Sequence, residues 1–269
     1  MSGKALAMTI SDSKERFSNR VQDYVKYRPG YPAGLLDLLR EECGLRADAS
    51  CVIADVGSGT GLLAELFLKQ GNRVFGVEPN ADMRKAGEEY LQGFPNFVSV
   101  KGSAESTTLS DGSVNFVTAG QAFHWFEPAA TRREFSRVLA PGGWVVLVWN
   151  HRRMDTPFAR DYEALLKHYG TDYEKVRASY PEAHTVRDFF GEVPCIGRDL
   201  QYAQTFDWNG LAGRLHSSSY APTLEHKNYA PMMAELRRLF DAHAENGLLA
   251  MEYETKIYLG QLKSGGKNA

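Results

Sequence analysis

The chain has 269 residues, 43% hydrophobic and 24% charged, an average globular composition that excludes wholesale disorder and points to one or two domains. Its 31 Lys and Arg against 33 Asp and Glu leave a formal charge of −2, so no global positive field draws it to nucleic acid or anionic lipid. Three scattered cysteines, Cys43, Cys51 and Cys195, lack zinc-knuckle spacing and fit a reducing compartment. With no apolar leader and no run of about 18 apolar residues, a soluble cytoplasmic protein without a membrane partner or bound metal is expected.

Residues 1–12 are small and polar and read as a frayed end. From Ser13 to Tyr27 the apolar positions Phe17, Val21, Tyr24 and Val25 recur at three- and four-residue steps, which predicts an amphipathic helix. Pro29 and Pro32 bracket a turn, and a helix over 33–43 ends at Gly44. Short strands then alternate with helices. Strands are predicted at 51–56, 73–78, 96–101, 113–119 and 144–150, and helices at 60–70, 81–92 and 128–140. Apolar strands separated by helical patterns predict a parallel sheet covered on both faces. Pro141-Gly142-Gly143 is expected to stop the last of these helices. Beyond Asn150, residues 151–190 read as mostly helical, 199–208 and 251–261 as strands with a helix near 230–246 between them, and SGGKNA as a flexible tail.

Asp55-Val56-Gly57-Ser58-Gly59-Thr60-Gly61 lies between a predicted strand and helix. Closely spaced glycines allow a sharp turn and close approach of backbone to a ligand, at the strand end where open α/β sheets bind ligands. No Lys follows the glycines, against a triphosphate loop, and Leu62 occupies the third dinucleotide position. Asp55 suits a ligand with a positive end, such as an ammonium or a sulfonium. Glu78 follows Gly57 at the distance where an acidic residue accepts both ribose hydroxyls. A nucleoside ligand is therefore expected. A ligand-free glycine turn and a solvated Glu78 are the plainer alternatives.

With these residues the chain resembles the class I S-adenosylmethionine-dependent methyltransferases. The resemblance rests on the glycine turn, on Val77-Glu78-Pro79-Asn80 with Met83, on Gly102-Ser103-Ala104-Glu105 and on Leu139-Ala140-Pro141-Gly142-Gly143. It implies a doubly wound, Rossmann-like sheet of about seven strands, mostly parallel with an antiparallel last strand, and S-adenosylmethionine as cofactor. It also implies that Asp55, Gly57, Ser58, Gly59 and Gly61 hold the methionine part and Glu78 the ribose. Pro79, Asn80 and Met83 would lie against the adenine, Ser103, Ala104 and Glu105 would border its edge, and Ala119, Gly120 and Gln121 would lie near the sulfonium. Tyr24-Val25-Lys26-Tyr27-Arg28-Pro29-Gly30-Tyr31-Pro32 and Gln121-Ala122-Phe123-His124-Trp125-Phe126 look like a narrower group, the small-molecule enzymes related to trans-aconitate methyltransferase. The Asn-Pro-Pro-Tyr turn of many nitrogen methyltransferases is replaced by Gly120-Gln121-Ala122-Phe123.

Methyl transfer needs a general base only where the acceptor carries a proton. His124 is the candidate, at the face where the methyl should point; packing of His124 and Trp125 against the sheet is the alternative. Arg28 among its tyrosines, with Tyr24, Tyr27, Trp125 and Asn150, is a candidate for holding a carboxylate of substrate or cofactor. His151 follows on the same face, and Arg152 and Arg153 are expected to be solvated charges. The tyrosines after residue 160 read as packing residues, and the Ser217–Tyr220 run as a closure of the pocket. The expected organisation is a single domain with a lid segment over 1–44, a cofactor core over 45–150, a helical cap over 151–198 and completion of the sheet over 199–269. The function expected is methylation of a small molecule at a carboxylate or hydroxyl oxygen. Alternatives are a tRNA or protein methyltransferase, a non-catalytic cofactor-binding regulator and a nicotinamide-dependent oxidoreductase.

Overall fold

The computed structural model describes residues 27–178 and 183–262. Tyr24, most of the helix predicted from Ser13, residues 1–12 and the SGGKNA tail lie outside them. Seven strands form one sheet: β1 (Val52–Val56), β2 (Arg73–Val77), β3 (Phe97–Val100), β4 (Val114–Gly120), β5 (Leu139–Arg152), β6 (Ile196–Phe206) and β7 (Leu249–Gly260). Their spatial order is β3-β2-β1-β4-β5-β7-β6. Neighbours from β3 to β5 run parallel, and β7 lies antiparallel to both β5 and β6. The doubly wound sheet with an antiparallel last strand is therefore the architecture observed.

Strand alternation sorts the core into two layers. Ile53, Phe116, Val146 and Val148 face the layer of α1 (Gly34–Cys43) and α2 (Leu62–Leu68), which adds Leu35, Leu39, Leu63 and Phe67. Ala54, Val117, Val145, Leu147 and Trp149 face the opposite layer, where α4 (Pro128–Val138) supplies Phe135 and Val138. Between β2 and β3 runs α3 (Ala81–Tyr90). Gly44 ends α1 at φ +68, the left-handed conformation that closes a helix at little cost for glycine.

The region after β5 divides by packing. α5 (Pro157–Tyr169), α8 (Trp208–His216) and α9 (Tyr229–His243) share a separate apolar cluster with the near ends of β6 and β7, including Tyr162, Leu166, Leu211, Leu236 and Tyr253. Between them in sequence, α6 (Tyr173–Ala178) and α7 (Ala183–Phe190) complete the helical stretch. α7 places Val186, Phe189 and Phe190 in the sheet's own core. The cap is built from segments on both sides of β6.

Two local expectations are corrected. Pro141-Gly142-Gly143 does not precede β5 but lies within it: Leu139 pairs with Val114, then register jumps to Trp144 opposite Phe116. Gly142 sits at φ +77, and a Cβ on Gly143 would lie 2.9 Å from the carbonyl oxygen of Asn115, so glycines make this bulge possible. Helix α8 has no counterpart among the predicted elements, because Gly210 and Gly213 depress its helix propensity. A Cβ on Gly213 would meet the Tyr27 ring at 2.2 Å, so the glycine makes room for the segment entering from the N-terminal side.

Candidate cofactor site

Past Val56 the chain turns through Gly57, Ser58, Gly59, Thr60 and Gly61 into α2. Gly57, Gly59 and Gly61 have φ of +66, +55 and +86. A Cβ on Gly57 would lie 2.7 Å from the Cβ of Ala122, and one on Gly61 2.5 Å from Cδ1 of Leu91. Both conformation and space therefore require glycine. The N–H groups of Gly57 and Ser58 donate to the Val77 carbonyl at 2.9 and 3.2 Å, tying the turn to the end of β2.

Glu78 completes that tie. Its Oε2 accepts from the Gly59 N–H at 2.9 Å and its Oε1 from the Asn80 N–H at 2.8 Å. The spacing read from the sequence thus corresponds to direct contact between the carboxylate and the glycine turn. A carboxylate oxygen has a further lone pair after one such bond.

Asp55 lies 1% exposed beneath the turn. Its Oδ1 accepts from the Thr118 hydroxyl at 2.9 Å, and its Oδ2 is buried without a partner. Burial pushes its pKa up from the ordinary 3.8 to about 7, against the lowering effect of the Thr118 bond. Thr118 was not among the predicted site residues. It pairs in register with Asp55 across β1 and β4, and its one signal is a hydroxyl between the apolar Val117 and Ala119.

Asn80 caps α3, its side chain accepting from the N–H groups of Asp82 and Met83. Pro79 is half-buried beside it, and Met83 is buried with its Cε 3.3 Å from where a Gly59 Cβ would stand. Ser103 forms a bridge with Ser106, Ala104 is in the core, and Glu105 accepts from the Glu127 N–H at 2.9 Å. The Ala119 side chain likewise belongs to the core, which leaves its backbone as the part available at the strand end. Gln121 holds φ +57 and donates through Nε2 to the Asn150 carbonyl at 3.3 Å. A cavity beside the turn is lined by Arg28, Tyr31, Asp55, Ser58, Gly59 and Gln121, among others.

His124 and Trp125 stand on a 3₁₀ turn at Phe123–Trp125, their rings 4.8 Å apart. Nδ1 of His124 is buried without a hydrogen-bond partner, and burial lowers the ring's pKa to about 4. Arg28 reaches across the fold to donate to the Ser217 carbonyl at 2.9 Å. Asn150, 8% exposed, donates to the Gly30 carbonyl at 2.8 Å and accepts from the Thr255 hydroxyl at 2.7 Å. Its amide therefore fastens the residue 28–31 turn to β5 and β7.

The expectation that Arg152 is a solvated charge is overturned. Its guanidinium is 2.5 Å from Glu163, with side-chain exposures of 13% and 8%, and lies over the Tyr162 ring. Arg177 and Tyr173 also bond Glu163. The sequence carried no signal for this, since the enclosing side chains come from helices beyond β5. Arg153 pairs with Asp155 and Glu252 at the surface, and burial lowers the pKa of His151.

Residues 54–147 match the model of a methyltransferase domain. An uncharacterised methyltransferase of Mycobacterium bovis is 29% identical over 253 residues, 92% of this chain and 97% of its own length. A Schizosaccharomyces pombe methyltransferase-like protein is 32% identical over 58% of this chain and 59% of its own. Among solved structures, one named as a type II methyltransferase from Anaeromyxobacter dehalogenans superposes with a TM-score of 0.67 at 22% identity, covering 87% of this chain and 98% of that one. The chain is a methyltransferase of class I architecture, and S-adenosylmethionine is its cofactor. No helix of the described residues is long and apolar enough to cross a membrane.

Proposed function

We propose that this methyltransferase acts on a small molecule, at a carboxylate or hydroxyl oxygen, and that the turn from Asp55 to Gly61 with Glu78 is where it holds its cofactor. The observation that carries the site is the Glu78–Gly59 hydrogen bond, which brings a ribose-binding carboxylate against a glycine cradle. The buried Oδ2 of Asp55 beneath the same cradle suits a ligand with a cationic end. Bound there, S-adenosylmethionine supplies an electrophilic methyl group on a sulfonium.

The residues around the cradle then have distinct tasks. Gly57, Ser58, Gly59 and Gly61 admit the methionine part close to backbone, and Asp55 faces its ammonium. Glu78 offers its remaining lone pairs to the ribose. Pro79, Asn80 and Met83 form the adenine wall, bordered by Ser103, Ala104 and Glu105. Backbone at Ala119 and Gly120 and the Gln121 side chain form the rim beside the reacting methyl. Tyr31 and Arg28 close the opposite side and exclude water, which strengthens every electrostatic contact inside. Tyr27, Trp125 and Asn150 belong to the surrounding acceptor wall, with Asn150 acting by fastening the 28–31 turn.

Small-molecule rather than macromolecular acceptance rests on the near-neutral charge and on an enclosed approach past Arg28 and Tyr31. His124 is a weak base at the pKa that burial imposes, which favours an acceptor already ionised or one whose proton leaves to water. Calorimetric titration with S-adenosylhomocysteine, with NAD as control and Glu78→Ala alongside, tests the site. One-per-chain binding that collapses in the variant supports it; equal binding in Glu78→Ala overturns the assignment of Glu78.

A further inference from the structure

Arg214 on α8 is 8% exposed, yet its described partners are neutral. Nη1 donates to the Ser218 hydroxyl at 2.9 Å, and Nε reaches the Tyr253 hydroxyl at 3.4 Å. No carboxylate of the described residues forms an ion pair with it. Tyr162, Tyr220 and Tyr253 surround it electrostatically. The contrast is with Arg152, half-buried, whose charge meets Glu163. That carboxylate is already engaged by Arg177 and Lys167 as well. Buried cations ordinarily come with a counter-charge, because hydroxyls alone return little of the hydration lost.

The position of Arg214 links it to the cofactor cavity. Arg28 lines that cavity and donates to the carbonyl of Ser217, and the Ser217 hydroxyl returns to the Arg214 carbonyl at 2.8 Å. Ser217 and Ser218 are 1% and 0% exposed, so this connection is interior. Tyr220, at the end of the same run, lies within the electrostatic reach of Arg214, Arg152 and Arg28. Three guanidinium groups thus surround Tyr220, of which Arg152 already has Glu163 as its counter-charge.

We propose that Arg214 is a specificity residue that anchors a carboxylate of the methyl acceptor, the counter-charge that its described surroundings lack. Identification of that ligand as the acceptor rests on the methyl-transfer reading above; the anion site itself does not. A guanidinium fork matches a planar carboxylate with two parallel bonds, and the Tyr162 and Tyr220 hydroxyls lie in the same surroundings.

Acetate, benzoate and citrate are titrated calorimetrically into the full chain, with acetamide and benzamide as neutral controls, each with and without S-adenosylhomocysteine. Wild type, Arg214→Met and Arg214→Lys are compared. At least one carboxylate is expected to bind saturably, at least tenfold more tightly than its amide, and to lose at least tenfold in Arg214→Met. That variant keeps wild-type S-adenosylhomocysteine affinity, and its Tm without added anion equals or exceeds that of wild type, since an uncompensated buried charge has been removed. Arg214→Lys keeps charge without the fork and falls between. The proposal is overturned by absence of saturable binding of all three acids to wild type, by equal affinity in Arg214→Met, or by a variant that unfolds or melts several degrees lower, which marks a structural tie. Failure of wild type to bind S-adenosylhomocysteine while the acids bind through Arg214 would instead sink the cofactor assignment alone.

Discussion

Thr118 donates its hydroxyl to Oδ1 of Asp55 at 2.9 Å, across paired strands and beneath the glycine turn. Oδ2 is buried without a side-chain partner, and burial outweighs the Thr118 and Ala64 hydrogen bonds, so the carboxyl is held near the balance between its neutral and ionised forms. In the folded state its pKa is about 7 against an ordinary 3.8. The native chain therefore binds the proton more tightly than the unfolded chain, and stability falls as pH rises from about 4 to about 7. Asp55→Asn should remove this slope and raise Tm at pH 8 relative to wild type. It should also weaken S-adenosylhomocysteine binding at least tenfold. Melting curves from pH 5 to 8 check the first point and calorimetry the second; parallel Tm–pH curves for the two proteins contradict the buried-carboxyl account.

Gly57 combines a positive φ with contact on Ala122, whereas Gly112, at φ +61, has nothing within 4 Å of where a Cβ would stand. Gly112→Ala should cost only backbone strain, about 1 kcal/mol. Gly57→Ala adds overpacking and should cost about 2–4 kcal/mol, with loss of S-adenosylhomocysteine binding. Chemical denaturation of both variants, compared at a common m-value, separates the two contributions.

The His124 ring is held to a pKa of about 4 by burial. Its folded value lies below the unfolded 6.5, so the unfolded chain takes the proton first, and stability drops as pH falls from about 6.5 towards 4. The ring stays neutral through the physiological range. Its NMR resonances should show no midpoint between pH 6 and 8, and His124→Gln should leave the pH dependence of kcat unchanged there. An inflection near 6.5 in wild type that the variant lacks would restore it as a general base.

Asn150 joins the Gly30 carbonyl to Thr255. Asn150→Ala leaves both without their partner and should cost about 2–3 kcal/mol. Asn150→Asp keeps the acceptor for Thr255 but turns an oxygen on the Gly30 carbonyl. Both variants should become sensitive to limited proteolysis near residues 28–32; a cleavage pattern identical to wild type would show that the turn is held by other contacts.

What was legible in the sequence followed from short-range chemistry. The apolar runs of β1, β2, β4 and β5 and the glycines of the β1–α2 turn carry their own reasons, since a buried parallel strand and a positive φ each demand particular residue types. Spacing associated Glu78 with the glycine turn, but its hydrogen bond from the Gly59 N–H was not foreseen. Long-range partners were not legible either. Arg152 reads as a solvated charge until Glu163 and Tyr162 are brought over it by α5. Arg214 lies in a helix hidden by two glycines, one of which has its reason in Tyr27. Thr118 shows only as a hydroxyl among apolar neighbours, and the early start of β5 was masked because Pro-Gly-Gly signals an end of structure more often than a bulge.

The strand order also has a temporal meaning. β7, the strand made last, occupies an interior place between β5 and β6. During synthesis β5 and β6 emerge with a gap between them that no earlier segment fills, and Thr255, which later anchors Asn150, is still missing. The half of the sheet under the cap must assemble in one late event, after the cradle half has had its whole sequence available. A chain stalled before residue 249 would lack the strand that joins β5 to β6, and a protease that trimmed β7 would detach β6 with it.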